Sequence, residues 1–128
     1  MARKDVSLSE LQIAVMRVLW RRGESSTADV AAEMADTRGI KHTTVATLLT
    51  RLHKRAVVAQ RREGRQLLYR ALVDEADVRR SMVAGLLGAL FAGDAEQLVA
   101  HLVQESDIAP GDLAKARRRL ARGGSDGD

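Results

Sequence analysis

Thr43, Thr47, Thr50 and Lys54 share one face of the segment 43–55 (TTVATLLTRLHKR) if residues advance by about 100° each, as in a helix. Ala46 and Arg51 flank that face, and no acid interrupts it. Val45, Leu48, Leu49 and Leu52 fall on the opposite side and predict a buried stripe. Short hydroxyls that donate or accept, with methyls beside them, suit the base edges of a DNA major groove; Ala46 suits a thymine methyl. Thr43, Thr44 and Thr47 can donate or accept there, and the free N–H groups of the helix start, near Lys41, His42 and Thr44, suit a phosphate oxygen. Arg51 and Lys54 reach the flanking backbone, or Arg51 a guanine. A few residues on, Arg61, Arg62 and Arg65 crowd around Glu63-Gly64, where Arg62 and Arg65 could meet phosphates or a minor groove.

Other chemistries find no residues to carry them. The 128-residue chain has no cysteine, so thiolate metal sites, disulfides and cysteine nucleophiles are excluded. His42, His53 and His101 are scattered without a second ligand at metal spacing, and no metal or cofactor is expected. Trp20, Tyr69 and Phe91 are the only aromatics, too few for a stacking platform on single strands. No paired carboxylates, Ser/His/Asp set or phosphate loop can be assembled, which argues against an enzyme. No apolar run is long enough for a membrane span, and Met1–Val6 lacks the apolar core of a signal peptide, so a cytoplasmic protein is expected.

Charge is divided along the chain. Residues 1–73 hold 14 Lys/Arg and 7 Asp/Glu, a net +7; residues 74–128 hold 7 and 10, a net −3. A basic first half predicts contact with a polyanion and an acidic second half predicts another task.

The elements that would position these residues can be read locally. Residues 9–22 predict a helix, with Ser9 and Gln12 as a capping box, Leu8 and Ile13 as a staple and Gly23 as its stop. Ser7 with Glu10 offers a competing start. Residues 27–36 predict a second helix capped by Ser26 or Thr27, followed by a turn around Gly39. Residues 57–70 carry the one strand signal, a hairpin turning at Glu63-Gly64 with the three arginines at its tip. Helix, helix, polar-faced helix and basic hairpin form a winged helix-turn-helix. Three more helices follow, over 74–92, 94–105 and about 110–122, started by Asp74, Asp94 and Pro110. Their apolar faces exceed what one small domain needs, so an interlocked dimer is expected. The fold class is mainly α with a small β-hairpin. The predicted organisation is a DNA-binding domain over 1–73, a helical dimerisation domain over 74–122 and a disordered tail over 123–128.

The stretches LSELQIAVMRVLW (8–20), TTVATLLTRLHKR (43–55), REGRQLLYR (62–70) and LFAGDAEQLVAHL (90–102) resemble the penicillinase-repressor family, the BlaI/MecI/CopY type of bacterial regulator. The resemblance implies a homodimeric repressor on a two-fold symmetric operator of double-stranded DNA. It implies a recognition helix with Thr43, Thr44, Ala46, Thr47, Thr50 and Arg51, and a wing with Arg62, Gly64 and Arg65. It implies dimerisation through helices from Val78 to Phe91, Ala95 to Glu105 and Asp112 to Leu120. Within them Val83, Leu86, Leu87, Leu90, Phe91, Leu98, Leu102, Leu113 and Leu120 are the expected contacts. Antibiotic-responsive members are cleaved at an Asn-Phe bond; His101-Leu102 stands there in this chain, so a sensor protease is not implied as a partner. The cysteines of copper-responsive members are absent, and Ala56 stands where many relatives have glycine after the recognition helix. The competing reading is a winged-helix protein-interaction module that does not read DNA.

Overall fold

Two serines set the first two helices. Ser9 accepts the Gln12 backbone N–H while the Gln12 side chain accepts that of Ser9, opening α1 (Glu10–Arg22). Ser26 and Asp29 make the same reciprocal pair at the start of α2 (Thr27–Arg38). α2 runs two residues beyond the expected end and stops at Gly39, whose φ of +65° is the left-handed conformation glycine adopts freely. The computed structural model describes residues 6–105 and 107–123. The N-terminal signal-peptide reading rests largely on residues 1–5, and the expected disordered tail on 124–128; both lie outside the described residues, and Gly123 closes the last helix.

α3 (His42–Lys54) buries Val45, Leu48, Leu49 and Leu52, the stripe its spacing predicts. These side chains meet Val15, Met16 and Leu19 of α1 and Val30 and Met34 of α2 in one core. Trp20 is half-buried against it, and its indole N–H donates to the Val73 carbonyl at 2.9 Å. The hairpin strands β2 (Val58–Glu63) and β3 (Gln66–Ala71) pair from Val58↔Ala71 to Glu63↔Gln66. That register makes Gly64-Arg65 the two-residue turn, one position beyond the expected Glu63-Gly64. Glycine at the first turn position, with φ +62°, is what such a tight connection requires. A further short strand, here called β1 (Ser25–Ser26), was not expected and pairs with the free edge of β3. Two serines carry no strand signal; β1 exists because α1 and α2 deliver it beside β3.

The later helices are α4 (Glu75–Phe91), α5 (Ala95–Gln104) and α6 (Pro110–Gly123). Asp94 caps α5 by accepting the Gln97 N–H. Two compact units divide at Val83/Ala84 rather than at the expected 73/74. Val78 is buried in the first core and Met82 packs against it, so the first turns of α4 belong there and Val78 is not a free contact residue. Gly85 and Gly88 would meet nothing within 4 Å if given a Cβ, among the described residues.

Candidate nucleic-acid interface

The amphipathic pattern of α3 decides which side chains are presented. With Val45, Leu48, Leu49 and Leu52 inward, Thr43, Thr44, Thr47, Thr50, Arg51 and Lys54 are exposed and Ala46 is half-buried between them. Ala46, Thr47, Thr50, Arg51 and Lys54 line one shallow depression. Lys41 is the N-cap and gives no side-chain cap to the helix, and the first turn holds no acid. The N–H groups of that turn, beside exposed Lys41 and His42, therefore carry the positive end of the helix dipole toward solvent.

The threonine hydroxyls are more constrained than their sequence indicates. The Thr47 hydroxyl donates to the Thr43 carbonyl at 3.0 Å and that of Thr50 to the Ala46 carbonyl at 2.9 Å. Each thus keeps its oxygen lone pairs and methyl group for outside contacts while its proton is held by the helix.

Ion pairing separates the cations of the first unit. Arg21, Arg22 and Arg38 pair with Glu33, Asp29 and Glu10. Arg61 is gripped by Glu24 and also reaches Glu63 at 3.2 Å, so it is not the free wing-tip cation that its position predicts. The Arg61 guanidinium holds the Glu24 carboxyl below its usual range, and Glu24 in turn holds Arg61 more firmly protonated. Arg55, at the end of α3, donates to the Ser7 carbonyl at 2.7 Å and to Gln12 at 3.4 Å, tying that end to the segment before α1. Lys41, Arg51, Lys54, Arg62 and Arg65 are exposed and have no ion pair within the chain among the described residues. α3 packs on β2, which places the polar helix face and the wing in the same unit. The roles of Arg55 and Glu24 had no signal in the sequence, because their partners lie far along the chain.

In the later helices Val83, Leu86, Leu90, Leu113 and Leu120 are exposed, while Leu87, Phe91, Leu98 and Leu102 are half-buried. His101 is exposed, its ring 6.0 Å from that of Phe91. No group of three or more potential metal ligands occurs among the described residues, and no single helix there is long and apolar enough to cross a membrane.

A family model described as penicillinase repressor matches residues 8–122. The methicillin resistance regulatory protein MecI of Mammaliicoccus sciuri is 23% identical over 120 residues, covering 94% of this chain and 98% of that protein. The penicillinase repressor of Staphylococcus aureus is 24% identical over 108 residues, covering 84% of this chain and 86% of that protein. The solved DNA-binding domain of the repressor BlaI matches with a TM-score of 0.53 and 30% identity, over 59% of this chain and 93% of that one. The Bacillus licheniformis BlaI monomeric form in complex with the blaP half-operator matches with a TM-score of 0.52 and the same identity and coverage. The winged-helix first unit and a family match along nearly the whole chain lead to one conclusion: the chain belongs to the penicillinase repressor family, whose members are DNA-binding transcriptional repressors and not enzymes.

Proposed function

We propose that two copies of this chain together read a two-fold symmetric operator and block transcription by occupying it. α3 enters the major groove, with Thr43, Thr44, Ala46, Thr47 and Thr50 at base edges and Arg51 and Lys54 at the flanking backbone. Lys41, His42 and the first-turn N–H groups hold a phosphate, and Arg62 and Arg65 on the wing hold the backbone beside it. The observation that carries this reading is the gathering of unpaired cations on one acid-free helix face and the wing beside it. Arg21, Arg22, Arg38 and Arg61 pair with acids, whereas Lys41, Arg51, Lys54, Arg62 and Arg65 on that face and wing have no ion pair among the described residues. A related BlaI bound to a half-operator supports it.

The later helices serve as the dimerisation region in this reading, with the first unit as the DNA-binding domain. The exposed Leu86, Leu90, Leu113 and Leu120 support that division, since several large apolar side chains exposed in one small unit mark an interaction surface. The cytoplasm is where such a repressor works. His101-Leu102 leaves no role for a sensor protease cutting at the place used in antibiotic-responsive relatives.

The test is selection of the purified protein against a random duplex library at near-physiological salt. Enrichment of a symmetric motif with half-sites about one helical turn apart is the expected result. Uniform, salt-steep binding to all sequences would mean that only phosphate is sensed. No duplex binding would leave the interaction-module reading in its place.

A further inference from the structure

α1 and the first turns of α4 line a cleft within the first unit. Ile13, Arg17 and Trp20 stand at i, i+4 and i+7 on α1, so they share one side of that helix. Glu75, Val78, Arg79 and Met82 stand at i, i+3, i+4 and i+7 on α4 and likewise share a side. With Val83 they enclose a cavity of about 200 Å³. None of them belongs to the polar face of α3 or to the wing.

The body of this cleft is apolar. Val78 is buried, and Ile13, Trp20 and Met82 are half-buried. The Trp20 indole N–H is already spent on the Val73 carbonyl at 2.9 Å, so the indole contributes ring surface and no free donor. An indole and a thioether together suit another flat ring, through ring packing and sulfur contact. The charged lining residues Arg17, Glu75 and Arg79 are exposed. Glu75 and Arg79 face each other at 3.6 Å and offset one another. Arg17 has no ion pair among the described residues, so the cleft carries one uncompensated guanidinium. A guanidinium fork matches a carboxylate in both shape and charge. Drug-sized ligands occupy pockets of about 300 Å³ or more, so this cleft has room for one ring and its acid group.

We propose that the cleft between α1 and α4 binds a small aromatic carboxylic acid, with the ring against Trp20 and Met82 and the carboxylate held by Arg17. An amine is disfavoured because Glu75, the one acid lining the cleft, is already paired with Arg79. A ringless anion would leave the apolar wall uncovered. All the lining residues lie in the first unit, so the inference stands independently of the dimer and of the operator.

Trp20 is the only tryptophan, so its emission reports on the cleft without a label. The test titrates the full chain with sodium benzoate at constant ionic strength. Benzyl alcohol, a ring without charge, and acetate, a charge without a ring, are the comparisons. Benzoate should change the emission saturably, with a Kd of about 1 mM or lower. Each comparison should bind about 10-fold or more weakly. Arg17→Gln, a change at an exposed position, should weaken benzoate by about 10-fold or more and leave benzyl alcohol unchanged. No saturable response to benzoate, or equal affinity for benzoate and benzyl alcohol, would overturn the proposal. An Arg17→Gln variant that binds benzoate like the wild type, or that loses both ligands alike, would overturn the assignment of Arg17 to the carboxylate. Emission that follows protein concentration instead of benzoate would overturn the proposal and give the cleft to a second copy of the chain.

Discussion

The guanidinium of Arg61 holds the carboxylate of Glu24 through two parallel hydrogen bonds, Nε to Oε2 at 2.9 Å and Nη2 to Oε1 at 2.7 Å. It spans from β2 to the residue just before β1, so the base of the wing is fastened to the turn that follows α1. A bidentate fork fixes orientation as well as distance. Arg62 and Arg65 are thereby carried on an anchored hairpin. The Glu24 carboxyl is held below its ordinary value of 4.5, chiefly by the Arg61 hydrogen bonds.

This linkage has a defined pH dependence. A carboxyl whose folded pKa is depressed adds stability above its unfolded value and loses it as pH falls through the folded value. The urea midpoint of the wild type should exceed that of Glu24→Gln at neutral pH. The difference should shrink below about pH 4.5 and vanish at lower pH. A difference independent of pH would show that Glu24 acts by shape alone.

Thr47→Ala should change which bases are preferred. It removes an acceptor oxygen and a methyl from the centre of the exposed α3 face without touching the core. Discrimination at one base pair per half-site should fall by about 1–3 kcal/mol. Repeating the library selection with the variant reads this directly.

Arg62→Ala should behave differently. Loss of a phosphate contact weakens binding to all duplexes alike and lowers the slope of log affinity against log salt by about 1 per half-site. Arg61→Ala, whose guanidinium is already neutralised, should leave that slope nearly unchanged. Titrations over a salt series separate the two.

Ala56 closes α3 with φ +61°, the left-handed region where a Cβ is strained. Its N–H reaches the His53 carbonyl at 3.0 Å and that of Val57 the Leu52 carbonyl at 3.0 Å, so the turn has the glycine-type geometry although glycine is absent. Ala56→Gly should stabilise the first unit by about 0.5–1 kcal/mol, since relief of strain exceeds the added entropy of the unfolded chain. Denaturant midpoints check it.

Ser26→Ala removes the side-chain acceptor for the Asp29 N–H at the start of α2. It should cost about 1 kcal/mol of stability. The same change should let the Asp29 carboxyl, now held low by its hydrogen bonds with Ser26, titrate nearer its usual range. Carboxyl chemical shifts across an acid titration measure that effect.

Most of what places α3 was readable from the chain alone. Ser9 with Gln12 and Ser26 with Asp29 start their helices through contacts three residues apart. The Val45–Leu52 stripe fixes which face of α3 is buried, and with it the Thr43–Lys54 face that is not. These relations are local, so residue type and spacing suffice. The division among arginines is different. Arg55, Arg61, Arg62 and Arg65 look alike in sequence, yet Arg55 is spent on Ser7, 48 residues away, and Arg61 on Glu24, 37 residues away. The strand Ser25–Ser26, the extension of the first unit to Val83 and the left-handed Ala56 belong to the same class. Each is decided by which distant surfaces the folded core brings into contact, and no short-range pattern encodes that.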